Sequence, residues 1–352
     1  HAPAVELAQK LAAIAPAGLN RVFFADSGSI SVEVACKMAV QYHVALGHPE
    51  RNRIVALKGG YHGDTSLCMA ISDPDGMHTL FKGIMTQQFF AEKPSCGFGS
   101  DWNPADIASL AKVLEEHDGE VAAVICEPVF QAANAMNFYN PAYLAEMRAL
   151  CDAHGVLLIF DEVITGFRLA LGGAQEYYGV TPDLTTLGKI IGGGMPVGAY
   201  GGKAEIMRCV SPDGPVYQAG TLSGNPIATA AGLATLRILQ QDRDIYRRLE
   251  AKTLRLRDAF LSAGAGIQVN QVGSLMSVFF TDTPVVDYAA AASSDTAAYA
   301  DYFRFLLERN IYVAPSQFEA LFVSDAHTQE DLDRTCEVIK EYFTHGICLS
   351  RN

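Results

Sequence analysis

The sequence predicts an α/β protein, with a mostly parallel sheet in a large domain and a smaller α+β domain after it. Short apolar segments alternate with segments of helical periodicity through most of the chain, as in βαβ units. The apolar segments, such as residues 156–160, contain no polar alternation, which indicates strands that are buried on both faces. Beyond about residue 240 the helical segments become more charged, so we place the domains at residues 1–250 and 251–352.

The individual elements follow from the same periodicities. In the large domain the predicted strands are residues 21–25, 53–57, 121–126 and 156–160, and the predicted helices are residues 30–45 and 141–154. In the smaller domain we predict helices at residues 242–261, 296–309 and 329–343, and a strand at residues 274–280. Ligands of parallel sheets bind at the carboxyl ends of the strands. The polar residues that follow the predicted strands are Ser27, Tyr61, Glu127 and Asp161.

The composition argues against two classes of partner. The chain carries a formal net charge of −13 at neutral pH, which repels phosphate backbones, so we expect no nucleic-acid partner. No apolar run approaches the roughly 20 residues that a membrane helix needs, so we expect no membrane partner. Residues 1–6 show no basic region followed by an apolar core, and we therefore expect no signal peptide and a cytoplasmic protein.

The eight cysteines form no CxxC pair. Most of them lie in apolar surroundings, such as Cys126, which follows Val124 and Ile125. In a chain of this length, the pattern indicates reduced thiols rather than disulfides or a metal site.

Two charged residues lie in apolar surroundings. Asp161 directly follows the strand 156–160, where a carboxylate loses part of its hydration and needs a partner. Alternatively, this acid caps the next helix. Lys189 lies within an apolar run that ends in three glycines. Lysines are rarely buried, and burial would lower the pKa of this amine, as a Schiff-base lysine requires. Alternatively, its side chain reaches the surface.

Three further segments have the composition of ligand-binding loops. Ser27, Gly28 and Ser29 precede a predicted helix, whose free N–H groups and dipole suit a phosphate, although Ser29 can also be a simple N-cap. Tyr61, which lies between glycines after a strand, can stack on a flat ring or belong to an ordinary turn. Residues 219–226 form a polar, glycine-containing loop before an alanine-rich helix.

Together these segments meet the requirements of one cofactor. Pyridoxal 5′-phosphate (PLP) needs an amine for its aldehyde, an acid at its pyridine nitrogen, a phosphate site and a group that stacks on its ring. The sequence offers all four in an α/β context. A nicotinamide oxidoreductase would instead need a GxGxxG turn after the first strand, and residues 26–31 lack that pattern.

The chain resembles the class III PLP-dependent aminotransferases of fold type I over essentially its whole length. Asp161-Glu162-Val163 carries the resemblance, together with Lys189, which lies 26 residues beyond Val163. The resemblance implies that Lys189 binds the cofactor as a Schiff base and that Asp161 pairs with its pyridine nitrogen. It also implies that Val163 and Tyr61 pack on opposite faces of the ring. The other cofactor-binding residues that it implies are Ser27, Gly28, Ser29, His62 and, from the neighbouring subunit of a homodimer with shared active sites, Thr221.

The two parts of the chain resemble different members of that class. Up to about residue 155 the chain is similar to adenosylmethionine-8-amino-7-oxononanoate aminotransferase (7,8-diaminopelargonate synthase), in residues 23–29, 61–65 and 73–78. From about Asp161 it is similar to glutamate-1-semialdehyde 2,1-aminomutase, in residues 185–194, 217–226 and 314–320. The class of enzyme is therefore clearer than the reaction.

The segment after Tyr61 favours transamination over an internal amino shift. The mutases have a long gating loop there, whereas this chain has the sequence of the other enzyme from Asp64 to Lys82. We therefore expect ping-pong transfer from a small-molecule amine donor to a ketone or aldehyde acceptor. The alternative is an intramolecular aminomutase, favoured by Glu319, a candidate substrate residue in a mutase-like segment. A non-catalytic PLP-binding protein is a further alternative, against which the intact Lys189 argues.

Overall fold

A seven-stranded sheet forms the centre of the first part of the protein. The computed structural model describes residues 1–73, 76–95, 101–133, 135–263 and 266–346. The strands as far as residue 202 are β1 (Arg21–Ala25), β2 (Arg53–Leu57), β3 (Phe89–Ala91), β4 (Val121–Cys126), β5 (Phe130–Gln131), β6 (Asn137–Phe138), β7 (Leu157–Asp161), β8 (Leu184–Leu187) and β9 (Gly198–Gly202). Strands β5 and β6 pair in a separate two-stranded sheet.

The order of the strands in the large sheet is β1-β9-β8-β7-β4-β2-β3. The pairs from β8 to β3 are parallel, whereas β9 runs antiparallel to both of its neighbours. The sheet is therefore mostly parallel, which confirms the predicted fold class. Because parallel strands end at the same edge, the carboxyl ends of β7 and β8 come together there.

Helices connect these strands. They are α1 (Ala2–Ile14), α2 (Gly28–Ala45), α3 (Ser66–Ala70), α4 (Ala108–Glu116), α5 (Pro141–His154), α6 (Gly173–Tyr178), α7 (Ala204–Met207) and α8 (Pro226–Gln241), with 3-10 helices at Thr79–Ile84, Pro104–Ile107 and Lys189–Gly192. Helix α2 begins where Ser27 Oγ accepts a hydrogen bond of 3.2 Å from the N–H of Ile30. Asn140 and Asn225 cap α5 and α8 in the same way, and each precedes a proline that suits the first helical position.

Alternate residues of the central strands contact two different hydrophobic clusters. In β2, Ile54 packs in the cluster that includes Met38 of α2. The next residue, Val55, packs in the cluster that includes Leu144 of α5. Successive side chains of a strand point to opposite faces. The sheet is thus buried on both faces, as the continuous apolar strands predict.

The second compact unit contains residues 131–138 and the chain from Arg243 onward, whereas the first contains His1–Phe130 and Tyr139–Asp242. Its further elements are α9 (Ile245–Ala263), β10 (Gln268–Val272), β11 (Leu275–Phe279), α10 (Tyr288–Ala292), α11 (Thr296–Leu307), β12 (Leu321–Phe322) and α12 (Gln329–Glu341), followed by a π-helical turn at Tyr342–Gly346. Strands β10, β11 and β12 form one sheet. Phe260, Met276 and Ile339 are central in its core. The domain boundary predicted at residue 250 stays a prediction.

Strands β3, β8 and β9 of the large sheet are not among the predicted strands, and β9 is the one whose sequence is least typical of a strand. Its sequence is Gly-Ala-Tyr-Gly-Gly, and glycine is depleted in strands because it has no side chain to pack. Close packing explains the glycines here. A Cβ atom at Gly202 would lie 2.9 Å from Cδ2 of Leu184 on the adjacent strand.

In the part of the chain that the structure describes, no helix has both the length and the apolar character to cross a membrane. Among the same residues, no group of three or more histidine, cysteine or acidic side chains is arranged to hold a metal ion. The described cysteines Cys36, Cys68, Cys126, Cys151, Cys209 and Cys336 are free thiols. Two further cysteines, Cys96 and Cys348, lie outside the described residues, as do Pro74 and Asp75 of the segment 73–78.

Candidate active site

A cleft of about 180 Å³ lies at the carboxyl edge of the sheet, where β7 and β8 end and α2 begins. All of its lining residues belong to the first unit: Gly28, Ser29, Tyr61, His62, Gly63, Glu127, Phe130, Asp161, Val163, Ile164, Thr165 and Lys189. The structure therefore brings most of the predicted site residues into one cavity. The roles predicted for them are not tested by this placement.

Asp161 is the last residue of β7 and is almost fully buried. Its carboxylate accepts hydrogen bonds from Nδ1 of His62 at 2.7 Å, from the N–H of Val163 at 3.1 Å and from Oγ1 of Thr186 at 3.3 Å. Burial alone would lower the pKa of His62, but the hydrogen bond to Asp161 and the charge of Asp161 outweigh it and hold that pKa above its usual value. The carboxylate is thus fixed in place by three hydrogen-bond donors.

Lys189 follows β8 and begins a 3-10 helix, with its backbone in the left-handed region at φ 49°. The prediction that this side chain is buried is wrong, because Lys189 is exposed to solvent in the open cleft. The protein atoms around the amino group still limit its hydration, and this desolvation lowers the pKa of Lys189 although Asp161 and Glu127 act in the opposite direction. The cleft therefore presents an amine that loses its proton more easily than usual.

The start of helix α2 forms one wall of the cleft. Gly28 and Ser29 supply the first two N–H groups of the helix, which have no partner within any α-helix. Gly63, at φ 120°, approaches Ser29 so closely that a Cβ atom would lie 2.8 Å from Cβ of Ser29. Ser27 is the N-cap instead of a cleft residue, so its hydroxyl is already engaged. This wall combines free donors, the helix dipole and little side-chain bulk, as a phosphate site requires.

Two glycines make room for Val163 at the same wall. A Cβ atom at Gly28 would lie 2.8 Å from Cγ1 of Val163. A Cβ atom at Gly188 would lie 3.1 Å from both Cγ1 of Val163 and Cα of Gly28. A side chain at Gly28 would force Val163 to move, and one at Gly188 would crowd both Val163 and the backbone of Gly28. The small size of these residues therefore fixes where an apolar contact can be made with a bound ring.

Tyr61 lines the cleft and is anchored at both ends. Its N–H donates to Oε1 of Glu127 at 2.9 Å, and its hydroxyl donates to Oδ2 of Asp64 at 2.8 Å. Burial, with the hydrogen bond to Asp64, raises the pKa of Tyr61. The phenol therefore stays protonated, and its ring is held by two separate contacts.

Thr221 and Glu319 lie outside the set of residues that line the cleft. Thr221 is exposed in the segment that leads to α8. Glu319 belongs to the second unit, is exposed, and donates its backbone N–H to the carbonyl of Ser316. The functions that the family resemblance implies for these two residues stay predictions.

Several cleft residues are missing from the sequence prediction of the site. The sequence places Glu127 at the ligand-binding edge without giving it a role, and the structure shows that it lines the cleft. Phe130 and Thr165 carry no such signal, because isolated aromatic and hydroxyl residues are common in any fold. Asp64, which contacts Tyr61, lies three residues beyond it in an irregular segment, where no periodicity indicates which side chains meet.

The residues present fit PLP. A buried carboxylate at Asp161 suits a protonated pyridine nitrogen, the amine of Lys189 faces the same cavity, and the free N–H groups of α2 suit a phosphate. These three requirements are met within one cleft, and the ring of Tyr61 also lines it.

Comparison with known proteins identifies the class. The family model "Aminotransferase class-III" matches residues 1–339. The chain belongs to the class III aminotransferases, and as such it is a PLP-dependent enzyme of fold type I.

Relatives and solved structures narrow the comparison. The chain is 45% identical over 348 residues to a glutamate-1-semialdehyde 2,1-aminomutase of Desulforudis audaxviator, covering 96% of this chain and 76% of that protein. A protein of the same name from Pelotomaculum thermopropionicum is 48% identical over 311 residues, covering 86% of this chain and 70% of the relative. Among solved structures, an omega-transaminase from Sphaerobacter thermophilus has a TM-score of 0.83 at 28% identity, covering 98% of this chain and 78% of its own. The adenosylmethionine-8-amino-7-oxononanoate aminotransferase of Methanocaldococcus jannaschii has a TM-score of 0.81 at 25% identity, covering 97% and 79%.

Proposed function

We propose that this chain is a glutamate-1-semialdehyde 2,1-aminomutase, which moves an amino group between two carbon atoms of one substrate. The observation that carries the proposal is the identity of 45% to an aminomutase over 96% of the chain. The mutase-like segment around Glu319 supports the same reaction. The relatives thus favour the internal shift over the external-donor transamination that the segment after Tyr61 favours.

Lys189 is proposed to carry the cofactor and to move protons. PLP, when bound, supplies an electron sink that stabilises negative charge on the carbon next to the amino group. A neutral amine is needed both for the covalent bond and for accepting a proton from that carbon. Because desolvation lowers the pKa of Lys189, a larger fraction of its Nζ is neutral at a given pH. This favours Lys189 as the group that transfers the proton between the substrate carbon and the cofactor carbon.

Asp161 is proposed to keep the pyridine nitrogen protonated. Its carboxylate is oriented by three hydrogen-bond donors, of which His62 Nδ1 at 2.7 Å is the nearest. A hydrogen bond to an ionised acceptor such as a carboxylate is roughly twice as strong as one between neutral groups. His62 therefore contributes by holding the acid in one orientation.

The phosphate and the ring are proposed to be held at the α2 wall. Gly28 and Ser29 offer backbone N–H groups at the positive end of the helix. Val163 and Tyr61 line the cleft and offer apolar surface to the two faces of the ring. Ser27 contributes indirectly, because its side chain caps the helix whose N–H groups point to the ligand.

The partners proposed for this chain are a small amino-aldehyde substrate and a second copy of itself. Thr221 is exposed, as a residue that serves a neighbouring subunit must be in the single chain. Co-refolding a Lys189→Ala variant with a Thr221→Ala variant tests shared active sites. We expect partial recovery of activity, because mixed dimers contain one intact site. An active monomer in sedimentation analysis would contradict the homodimer.

The second candidate function is ping-pong transamination with an external donor. It is favoured by residues 64–82, which lack the gating-loop sequence of the mutases. A lid matters for an internal shift because the intermediate must be retained until the second half-reaction. The described part of that segment contains the short helix α3 and the 3-10 helix Thr79–Ile84.

Turnover of glutamate-1-semialdehyde alone distinguishes the two functions. An aminomutase converts it to 5-aminolevulinate over many cycles without an added donor or acceptor. Starting from its PLP form, a transaminase takes the amino group from about one equivalent of substrate per site and then needs a separate carbonyl acceptor. We expect sustained formation of 5-aminolevulinate. Consumption of substrate that stops near one equivalent per site, and resumes on addition of a carbonyl acceptor, would favour transamination instead.

Covalent labelling tests the role of Lys189 independently of the substrate. Borohydride reduction of the PLP-loaded protein, followed by peptide mapping, should place the label on Lys189. Lys112→Ala is the matched control, because Lys112 is exposed on α4 and pairs with Glu116 in the next helical turn. Its labelling should equal that of the wild type. A label on another lysine would remove the basis of the proposal.

A further inference from the structure

A buried histidine lies behind the tyrosine of the cleft. The hydroxyl of Tyr61 donates to Oδ2 of Asp64 at 2.8 Å, and the other oxygen of the same carboxylate lies 3.0 Å from Nε2 of His78. The rings of Tyr61 and His78 are 6.0 Å apart between centroids. Hydrogen bonds through Asp64 thus link the cleft residue Tyr61 to the buried ring of His78.

His78 differs from the acid it contacts in its exposure. Its side chain is only 7% exposed, whereas the Asp64 side chain is 70% exposed. A carboxylate only accepts hydrogen bonds, so Nε2 of His78 must be the donor. Within the described ranges of the chain, Nδ1 of His78 has no hydrogen-bond partner. The ring is therefore committed to Asp64 and has no other polar contact among these residues.

We propose that His78 is a positioning residue that fixes Asp64 and, through it, the orientation of the Tyr61 ring at the cofactor. The proposal rests on the stacking role proposed above for Tyr61. His78 itself is not among the residues that line the cleft, so we expect it to act through Asp64.

The exposure of Asp64 explains why a second contact is needed. A side chain that is mostly in water is free to rotate, and a hydrogen bond between exposed groups contributes little because water competes for it. His78 is held by burial, so its donor keeps the carboxylate in one rotamer. Hydrogen bonds from His78 and then from Tyr61 lower the pKa of Asp64, which keeps it ionised as an acceptor. The Glu127 contact fixes the backbone of Tyr61, and the Asp64 contact fixes the far end of its side chain.

The residues involved were recognisable in the sequence only as parts of the segments that resemble the 7,8-diaminopelargonate synthases. Asp64 and His78 lie in residues 61–65 and 73–78, at the place where the mutases have their gating loop. The contact between Asp64 and His78 thus fixes a side chain of this segment beside the cleft residue Tyr61.

Binding of PLP to the whole protein in the absence of substrate tests the proposal. The variant His78→Phe keeps a ring of similar size without the donor, and His78→Gln keeps a donor. We expect His78→Phe to weaken PLP binding by about tenfold, which corresponds to the loss of one ordinary hydrogen bond. The induced circular dichroism of the bound cofactor, which depends on ring orientation, should change as well. His78→Gln should restore most of both signals.

The same measurements in a Tyr61→Phe background show whether His78 acts through the tyrosine. If it does, His78→Phe should have no further effect there, because the hydroxyl that it positions is already absent. His48→Gln is the control, since His48 is an exposed histidine whose ring pairs with the exposed Glu50. It should bind PLP as the wild type does.

Two outcomes would overturn the proposal. One is a His78→Phe variant that has a lower melting temperature but unchanged PLP affinity and dichroism. The other is an equal effect of His78→Phe with and without the Tyr61 hydroxyl. If His78→Phe does not fold, Asp64→Leu replaces it in the same comparison. Because no substrate is present, failure of the aminomutase proposal leaves these results interpretable.

Discussion

Asp161 and Glu162 are adjacent acids at the end of one strand, and the structure uses them differently. Asp161 faces the cleft. Glu162 is completely buried and accepts hydrogen bonds from Oγ1 of Thr165 at 2.8 Å, the N–H of Ala174 at 2.7 Å and the N–H of Gln175 at 3.0 Å. Desolvation raises the pKa of Glu162 to about 7, against the effect of these donors.

The difference follows from the geometry of a strand. Consecutive side chains point to opposite faces, so only one of two neighbouring acids at a strand end can enter the cleft. The other must find its partners in the protein, and Glu162 finds them in the loop after β7 and at the start of α6. The comparison teaches that Glu162 serves the fold, whereas Asp161 is placed for the role proposed above. We expect Asp161 variants to lose chemistry and Glu162 variants to lose stability.

The largest expected effect is that of Glu162→Leu on stability. The substitution leaves three buried donors without an acceptor, and each such group costs about 1–3 kcal/mol. We expect the free energy of unfolding to fall by about 4 kcal/mol in urea titrations of the PLP-free protein. Glu115→Leu, at an exposed position of α4, is the control and should change it little. An unchanged unfolding midpoint for Glu162→Leu would show that the comparison is wrong.

Asp161→Asn should affect catalysis more than stability. The amide keeps the shape of the carboxylate but loses its charge, and a hydrogen bond to a charged group is worth about 1.5–3 kcal/mol. We expect kcat/KM to fall by about 30-fold, the equivalent of about 2 kcal/mol. Steady-state kinetics and urea unfolding on the same preparation measure the two effects. If the unfolding free energy falls more than the activation free energy rises, the assignment of roles is reversed.

The pH dependence of stability should identify Glu162 by its sign. Its pKa in the folded protein, about 7, is higher than the value of 4.5 for a free glutamic acid, so the folded state binds the proton more tightly. The resulting stabilisation is complete below the unfolded pKa and is lost as the pH rises through 7. Unfolding of the wild type should therefore become easier between those two values, by up to about 1 kcal/mol per pH unit. Glu162→Gln should flatten this dependence of the unfolding free energy on pH. An identical slope in both proteins would show that Glu162 is not the titrating group.

The smallest effects are expected from two threonines that contact the two acids. Thr186→Val removes the hydrogen bond of 3.3 Å from Thr186 Oγ1 to Asp161, which keeps its hydrogen bonds from His62 and from a backbone N–H. Thr165→Val removes a donor of 2.8 Å to Glu162. Each should change a free energy by about 1 kcal/mol or less. The first should appear in PLP affinity and the second in unfolding. If Thr186→Val changed the free energy of unfolding and Thr165→Val changed the PLP affinity, the roles given to the two acids would be wrong.

The sequence predicts well what depends on local pattern. Strands at 21–25, 53–57 and 121–126 have the observed bounds, because continuous apolar runs are unambiguous in a sheet covered on both sides. Lys189 and Asp161 were found as charges in apolar surroundings, and both line the cleft.

What depends on contacts between distant segments was not predictable. Strand β9 looks like a glycine-rich loop until its neighbours are known. His78 appears as one histidine in a polar segment, and only the fold brings it to Asp64. For Lys189 the sequence favours burial over the alternative of surface exposure, since an apolar sequence does not reveal that a cavity opens beside it.

The left-handed backbone of Lys189 has a consequence for how this protein can change. A residue with a Cβ atom at φ 49° pays roughly 1 kcal/mol for a conformation that glycine adopts freely. The position proposed to hold the cofactor is therefore one at which glycine would suit the backbone better than lysine. In a descendant that no longer needs this amine, replacement of the lysine by glycine would stabilise the folded state. Loss of the amine would then come with a gain in the free energy of folding.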